Sequence, residues 1–175
     1  MTQPFLTHPS TKYKHSFIEA VIEFKQSKIQ AYDALSLVNL KRDFNSYVTA
    51  EKNKAKGIGL LANQVPYALY WLIDQDRFIG RLRLRYYDNE YLLENTGHIG
   101  YNIRPSAQKQ GYGKLILKLG LEKAKARGFT KVLLTCKSTN LGSRKIIEAN
   151  GGQLAKTKQI DDTGLLRLYY WIKPN

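Results

Sequence analysis

The residues with the clearest chemical meaning are Gln108-Lys109-Gln110-Gly111-Tyr112-Gly113, which lie between a strand-like run (98–104) and a helix-like run (114–127). Glycine has no Cβ, so the backbone at Gly111 and Gly113 can approach a ligand closely. The N–H groups of such a turn, and of the first turn of the following helix, have no partners inside the helix and attract anions, most often phosphate. The pattern predicts a phosphate-bearing cofactor, and a tight strand-to-helix connection without a ligand is the alternative.

Two well-known phosphate-binding loops do not fit this turn. A dinucleotide-binding turn needs the third glycine of G-x-G-x-x-G, which is missing here. In a P-loop the Gly-Lys pair is followed by Ser or Thr, whereas Leu115 follows Gly113-Lys114. The turn must therefore belong to another structural context if it binds phosphate.

The net charge of +14 is unevenly distributed along the chain. Between Arg104 and Lys145 there are eleven Lys or Arg and one acidic residue, so +10 of the charge lies in the stretch that holds the glycine turn. An anionic ligand explains this concentration. A solvated helix face is the second explanation, for which Lys118, Lys123 and Lys125 are suited, and nucleic-acid binding is the third.

Length and composition indicate an ordinary globular protein. We expect the 175 residues to form one domain, 1–175, with enough chain to bury a core. Cys136 is the single cysteine, which excludes an internal disulfide framework and suits a reducing compartment. Residues 1–15 lack the apolar core of a signal peptide, and polar residues and a proline interrupt the most apolar window, 58–73. We expect a cytoplasmic protein without a membrane span.

Hydrophobic periodicity predicts the elements that position the turn. The order is two helices, three strands, helix, strand, helix and two strands, which describes an α/β fold around one mixed β-sheet flanked by helices. Ser16 and Glu19 have the spacing of a capping box for the first helix. A second helix fits the spacing of Leu37, Leu40, Phe44 and Tyr47.

Two strands are predicted by strict alternation. In residues 81–86 the arginines alternate with Leu82, Leu84 and Tyr86, so we expect these three side chains in the core and the arginines in solvent. In the run 98–104, Ile99, Tyr101 and Ile103 share one face. The final strands, 153–160 and 165–173, fit a closing hairpin.

A larger pattern surrounds the turn. Gln108-x-x-Gly111-x-Gly113 is preceded by a strand and Arg-Pro and followed by an amphipathic helix and a strand, and 32 residues later comes an Asn-x-x-Ser helix, 140–150, that ends at a glycine. Over residues 98–152 this arrangement resembles the acetyl-CoA site of the GNAT-type N-acetyltransferases. The resemblance implies the GNAT fold, acetyl-CoA as co-substrate and transfer of its acetyl group to an amine.

The resemblance also implies contacts with the cofactor. Two neighbouring parallel strands, here 98–104 and 132–136, would splay apart after a β-bulge, and the pantetheine arm would lie in the gap. Ile103 would offer backbone groups to that arm, and Asn140 and Ser143 would approach it from the other side, although both could simply cap their short helix. The pyrophosphate would lie on the four amides of Gly111, Tyr112, Gly113 and Lys114. The other implied cofactor-binding residues of the turn are Gln108, Lys109 and Gln110.

The implied reaction is direct attack of a neutral amine on the thioester. His98 is the candidate general base, because the family often places its base on this strand and imidazole titrates near neutrality; a half-buried structural histidine is the alternative. Glu94 is an alternate base that would act through water. A backbone N–H near Asn102 or Ile103 would stabilise the oxyanion.

One position departs from the family pattern. Seven residues after Asn140 the family usually has a tyrosine that protonates the departing thiolate, and here that residue is Ile147. A thiol with a pKa of about 8.5 leaves tolerably well unaided. Other hydroxyls in the chain could substitute, among them Tyr101, Tyr169 and Tyr170.

Three functions are therefore compared. The first is an amine acetyltransferase whose acceptor has no readable motif. The second is a non-catalytic acyl-CoA-binding protein, which Ile147 makes worth testing. The third is a basic nucleic-acid-binding domain, which is disfavoured because no helix-turn-helix, RRM or zinc pattern occurs. Family members often form homodimers, so a homodimer is also considered.

Overall fold

The computed structural model describes residues 3–27, 32–62 and 64–174. Short 3₁₀ turns and one π-helical segment, Leu92–Thr96, connect the main elements. The strands and helices, in chain order, are β1 (Phe5–Thr7), α1 (Lys14–Gln26), α2 (Leu37–Arg42), α3 (Phe44–Asn53), β2 (Tyr67–Asp74), β3 (Arg77–Arg85), β4 (Ile99–Ile103), α4 (Tyr112–Ala126), β5 (Val132–Lys137), α5 (Leu141–Ala149), β6 (Gln153–Gln159) and β7 (Leu166–Ile172).

The strands form two antiparallel sheets. The first has the order β1-β2-β3-β4 and the second β5-β7-β6, so the expected closing hairpin of β6 and β7 is confirmed. The α/β fold class is confirmed, but the single mixed sheet is divided in two. The sheets meet at one antiparallel bridge, between Gly97 and Leu134. A gap therefore opens between β4 and β5 beyond that bridge.

The first sheet is covered on both faces. On one face β3 presents Leu82 and Leu84, both fully buried, to a core that includes the apolar side of α4. On the other face the residues of α1, α2 and α3 pack against β2, with the rings of Phe17 and Trp71 stacked at 4.5 Å. Burial of apolar side chains on both faces explains why β2 reads as a nearly continuous apolar run.

Three local expectations need correction. Arg81, Arg83 and Arg85 do not face open solvent; all are half-buried because the α1–α3 layer covers their side of the sheet. Tyr86 lies just past the end of β3 and is also half-buried. The expected second helix is two helices, since Asp43 has non-helical dihedrals (φ −140°, ψ 85°) and caps α3 by accepting the N–H of Ser46.

The capping box expected at Ser16 is wrong. Helix α1 begins two residues earlier, at Lys14, and the Ser16 hydroxyl accepts hydrogen bonds from the N–H of Phe78 and from Arg104. The serine therefore joins the helix to the sheet. Among the helices of the described residues, none is long and apolar enough to cross a membrane.

Candidate functional site

The turn before α4 has the backbone of an anion-binding site. Lys109 and Gly111 have left-handed conformations, with φ of 60° and 87°, and Gly111 is the N-cap residue of α4. The N–H groups of Lys114 and Leu115 donate to the Gly111 carbonyl, at 3.0 and 3.2 Å. No acceptor within the described chain is assigned to the N–H groups of Gly111, Tyr112 and Gly113. Three of the four amides expected to bind pyrophosphate are therefore free, and that of Lys114 is engaged.

The two glycines of the turn have different roles. A Cβ built on Gly111 would meet no atom within 4 Å, so this residue borders open space. A Cβ on Gly113 would overlap the side chain of Ile146 on α5. Gly111 thus leaves room beside the turn and supplies its left-handed conformation, whereas Gly113 allows α4 and α5 to pack closely.

The side chains of the turn mostly brace it from within. Gln108 Nε2 donates to the Ile103 carbonyl at 3.2 Å, and Gln110 Nε2 donates to the Ser106 carbonyl at 3.0 Å. The Tyr112 hydroxyl donates to Asp74 at 2.5 Å, a bond that raises the tyrosine's pKa. Lys109 and Lys114 are exposed and leave positive charge beside the free amides. The backbone and the lysines, rather than the other side chains, are available to an anion.

A buried ion pair that the sequence did not reveal anchors the approach to the turn. Arg104 is 2% exposed, and its guanidinium donates to the Glu23 carboxylate on α1 and to the Phe78 carbonyl. The same carboxylate accepts from the N–H and hydroxyl of Ser106, both at 3.1 Å. Burial raises the pKa of Glu23, but the bonds from Arg104 and Ser106 outweigh it, so the pKa lies below its ordinary value.

The edge of β4 toward β5 is open. Arg85 N–H donates to the His98 carbonyl and Arg104 N–H to the Ile79 carbonyl, so the even-numbered residues of this strand bond to β3. In an antiparallel ladder the odd-numbered residues then direct their N–H and C=O groups to the opposite edge. No strand of the described chain pairs with that edge along β4. Its groups belong to Ile99, Tyr101 and Ile103.

The gap begins at Gly97 rather than at a bulge inside β4. The β3–β4 register is continuous, so the β-bulge expected in that strand is absent from it. Gly97 has φ 67°, and a Cβ there would collide with the Leu133 backbone. The backbone of His98 bonds to both sheets: its N–H donates to the Leu133 carbonyl at 2.7 Å, and its carbonyl accepts from the N–H of Arg85. The strands separate after this point.

Both nitrogens of the His98 ring are engaged inside the protein. The side chain is 4% exposed; Nδ1 accepts the Leu133 N–H at 2.8 Å, and Nε2 lies 2.5 Å from Asp88 Oδ1. Since Nδ1 accepts, the proton of the neutral ring is on Nε2, directed at the carboxylate. This arrangement leaves no lone pair for an amine proton and speaks against the base role expected for His98.

Glu94, the alternate base, is held by two lysines. Its carboxylate lies 2.5 Å from Lys158 Nζ and 3.1 Å from Lys156 Nζ, both on β6. The hydrogen bonds to Lys158 and Lys156 lower its pKa, which makes the carboxylate a weaker proton acceptor. Its backbone carbonyl accepts from the Tyr169 hydroxyl at 2.7 Å. The residue joins the segment before β4 to the second sheet.

The far side of the gap is formed by the start of α5. Asn140 is the N-cap residue, and its side chain accepts the N–H of Ser143 at 3.0 Å. The Ser143 hydroxyl is 3.1 Å from the hydroxyl of Tyr101, which reaches across from β4. Burial raises the pKa of Tyr101 to about 12. The structure thus places Asn140, Ser143 and Tyr101 together.

Two further residues of this region are packed in the core. Ile147, at the position where the family pattern has tyrosine, is fully buried against Gly152. Cys136 is 8% exposed, and burial raises the pKa of its thiol, which disfavours a nucleophilic thiolate. Ile147 therefore has no proton to donate, and the buried Cys136 thiol is a poor nucleophile.

Comparison with known proteins identifies the family. The family model described as acetyltransferase (GNAT) domain matches residues 19–153. No curated protein matched the chain by sequence.

Several solved structures share the fold. One is the microcin C7 self immunity acetyltransferase MccE in complex with acetyl-CoA and AMP, at 13% identity and a TM-score of 0.73, with 99% of this chain and 93% of that chain covered. A second is RimL, a ribosomal L7/L12 α-N-protein acetyltransferase in complex with coenzyme A, at 17% identity and a TM-score of 0.71, with 99% and 95% covered. A third is an acetyltransferase from Salmonella typhimurium that modifies the N-terminal serine of L7/L12, at 17% identity and a TM-score of 0.70, with 100% and 97% covered.

At such identities the structural likeness supports the fold, while the family model covers more than half of the sequence. The fold, the free amides at the start of α4 and the open edge of β4 agree with that match. The chain therefore belongs to the GNAT acetyltransferases, whose co-substrate is acetyl-CoA.

Proposed function

We propose that this protein transfers the acetyl group of acetyl-CoA to a primary amine by direct attack. The observation that carries the proposal is the juxtaposition of the free amides of Gly111, Tyr112 and Gly113 with the open edge of β4, which the Gln108–Ile103 hydrogen bond of 3.2 Å holds together. The amides, with Lys109 and Lys114, bind the pyrophosphate. The pantetheine amides add to the edge of β4 as a further strand would.

The open edge also supplies the oxyanion site. The amine nitrogen forms a bond to the acetyl carbon, the carbon–sulfur bond breaks, and a proton of the amine ends on the CoA thiol through solvent. The oxyanion of the intermediate needs a fixed N–H donor. Ile103 and Tyr101 direct their N–H groups into the gap, whereas that of Asn102 is directed to β3. We therefore assign the role to Ile103 or Tyr101.

Tyr101 is also the hydroxyl that we assign to the departing thiolate. Its pKa of about 12 keeps it protonated at neutral pH. The Tyr101 hydroxyl is hydrogen-bonded to the hydroxyl of Ser143, which lies one turn of α5 before Ile147. It is therefore on the side of the gap where the family tyrosine would be, reached from the opposite strand. It donates a hydrogen bond to sulfur without giving up its proton.

No side chain is assigned as general base in this proposal. The ring of His98 and the carboxylate of Glu94 are both engaged within the protein. The amine then reacts in its neutral form, deprotonated by solvent. We therefore expect kcat/KM to rise with pH in proportion to the fraction of the acceptor amine that is neutral.

The test combines calorimetric titration with CoA and steady-state thiol release. The expected result is saturable CoA binding, with thiol release above the hydrolytic background for at least one of a panel of small amines and peptide N-termini. Peptides are included because two proteins of similar fold acetylate a ribosomal protein. Binding without amine-dependent thiol release would favour the non-catalytic acyl-CoA-binding alternative, which the burial of Ile147 motivates.

The nucleic-acid alternative is tested by a gel shift with mixed RNA and DNA at moderate salt. Both lysines of β6, Lys156 and Lys158, are paired with Glu94, which reduces the free positive charge of that surface. We expect no shift. The assignment of residues 1–175 to one domain, the cytoplasmic location and a homodimer stay predictions of the sequence.

A further inference from the structure

A cavity of about 330 Å³ lies on the helical side of the first sheet. Its size suits a small molecule. The loop that precedes β2, the ends of β2 and β3, and the π-helical segment before β4 enclose it. The residues that matter here are Tyr67, Arg83, Arg85, Tyr91 and Thr96.

Arg83 has no hydrogen-bond partner in the described part of the protein. Its guanidinium lies over the ring of Tyr67, 4.2 Å from the centroid, and its Nε atom is buried without an acceptor. Leaving a buried charged donor unsatisfied costs free energy. The hydroxyl of Tyr67 is directed instead to Glu51, at 3.4 Å.

Arg85 is the second guanidinium of the cavity. It donates to the Gly97 carbonyl at 3.0 Å and lies over Gly100, where a Cβ would be 3.7 Å from Nη1. Burial, and then the charge of Arg83, lower the pKa of Arg85 to about 10. It is still charged at neutral pH, and within the described ranges no carboxylate forms an ion pair with Arg83 or Arg85.

Two like charges on one face of a strand, two residues apart, repel each other, and burial strengthens that repulsion. Glu51, on the Tyr67 hydroxyl, is the carboxylate recorded nearby, but it forms no ion pair with Arg83 or Arg85, so an anion from outside would balance the two charges. A carboxylate or a phosphate accepts the paired N–H groups of guanidinium well.

The cavity adjoins the site of the reaction. Arg83 pairs with Gly100 across the β3–β4 ladder, and the Gly97 carbonyl that accepts from Arg85 belongs to the point where β4 and β5 separate. The odd-numbered residues on the outer edge of β4 are those assigned above to the pantetheine and the oxyanion. A molecule in the cavity is therefore separated from the thioester by the width of β4.

We infer that this cavity binds the anionic group of the acetyl acceptor, which is a small primary amine that carries a carboxylate or a phosphate. This inference rests on the proposed acetyl transfer. Arg83 and Arg85 hold the anion, and the amine extends along β4 beside Gly100, over which the Arg85 guanidinium lies, toward the open edge of the strand.

The test uses two matched pairs of amines. β-Alanine is compared with β-alaninamide, and phosphoethanolamine with ethanolamine, in steady-state thiol release with saturating acetyl-CoA. We expect kcat/KM to be higher by about 10-fold or more for the anionic member of at least one pair, the size of a charged hydrogen bond. The two pairs separate a carboxylate acceptor from a phosphate acceptor. Equal values within both pairs, or activity with peptides only, would overturn the inference.

The variant Arg83→Gln tests whether the preference for anionic amines depends on the cavity. In this variant, the ratio of kcat/KM for the anionic amine to kcat/KM for its neutral counterpart is expected to fall toward one. Arg127→Gln is the matched control. The Arg127 guanidinium also lies over a tyrosine ring, 3.7 Å from the centroid of Tyr86, but Arg127 is at the C-terminal end of α4 and outside the cavity. It should keep the wild-type ratio. A ratio that survives in Arg83→Gln contradicts the inference, and the wild-type comparison of paired amines decides the matter if that variant does not fold.

Failure of the inference is distinguishable from failure of the proposed function. Calorimetric titration of the CoA-bound protein with β-alanine, and separately with phosphoethanolamine, measures occupancy of the cavity without turnover. Binding of one anionic amine, weakened in Arg83→Gln, supports the cavity even if no acetyl transfer occurs. Acetylation of neutral amines without binding of either anionic amine supports the transferase and excludes the anion site.

Discussion

His98 and Leu133 are joined by two hydrogen bonds in opposite directions. The backbone N–H of His98 donates to the Leu133 carbonyl at 2.7 Å, and the Leu133 N–H donates to His98 Nδ1 at 2.8 Å. The pair lies beside the Gly97–Leu134 bridge, where the two sheets meet. The histidine therefore closes the narrow end of the gap in which the pantetheine is proposed to lie.

Replacement of His98 by Ala is expected to lower the free energy of unfolding by about 1–3 kcal/mol, because it leaves the buried Leu133 N–H without an acceptor. Urea denaturation measures this. His15→Ala is the control: the His15 side chain is 94% exposed and forms a surface pair with Glu19, so little change is expected. The pH profile of kcat/KM gives a second readout. A limb of the profile that persists with amines of different pKa and disappears in His98→Ala would show that His98 acts as a base.

Glu23→Gln is expected to destabilise the protein by about 2 kcal/mol, since the buried guanidinium of Arg104 loses its counter-charge. The affinity for CoA should fall as well, because Glu23 also holds the N–H of Ser106 at the approach to the turn. Chemical denaturation and calorimetry measure the two effects. Glu122→Gln, an exposed position on α4, is the matched control. Unchanged stability and CoA affinity would show that the ion pair does not support the turn.

The same pair predicts a direction for acid sensitivity. The folded-state pKa of Glu23 lies below its ordinary value of 4.5, so the ionised carboxylate is favoured in the folded protein. Its contribution is fully present above pH 4.5 and is lost as the pH falls through the lower folded-state value. The difference in unfolding free energy between wild type and Glu23→Gln should therefore shrink on acidification below pH 4.5. A difference that grows in acid would contradict the assigned sign.

The sequence could predict the features that depend on neighbouring residues. The alternation of β3, the helix after the glycine turn and the final hairpin are local patterns, and all three occur in the structure. The role of Arg104 could not be predicted, because its partner Glu23 is 81 residues away along the chain. The alternation of β3 predicts that Arg83 faces solvent, and this is wrong for a related reason: the packing of α1–α3, which covers that face of the sheet, is not visible in the local pattern.

In the candidate site, too, the local backbone could be predicted from the sequence, whereas the contacts of side chains could not. The backbone of residues 111–113 has the expected free amides, since glycine in a strand-to-helix turn constrains the local conformation. The strand position of His98 suggests a general base, but whether its ring is available depends on Leu133, 35 residues away, and on Asp88. Side-chain availability is a property of the packed structure and has no counterpart in residue spacing.

Gly111→Leu is expected to abolish CoA binding. A side chain at Gly111 would enter the open space beside the free amides. The left-handed φ of 87° adds strain of about 1 kcal/mol for any residue with a Cβ. Gly128→Leu is the matched control, because Gly128 has φ 85° and equally open surroundings at the end of α4. Both variants should lose similar stability, but only Gly111→Leu should lose CoA affinity. Equal CoA affinity in the two variants would remove the turn from the cofactor site.

Tyr101→Phe tests the hydroxyl assigned to the departing thiolate. We expect kcat to fall by about 10-fold while the KM for acetyl-CoA changes little, because a hydrogen bond made to developing negative charge is lost and binding contacts are kept. The loss is modest because a thiolate departs without full protonation. Steady-state thiol release measures both constants. Tyr169→Phe is the control, since its hydroxyl donates to the Glu94 carbonyl outside the gap. A raised KM with unchanged kcat in Tyr101→Phe would mean that the Tyr101–Ser143 contact shapes the cofactor site and that the thiolate departs without this hydroxyl.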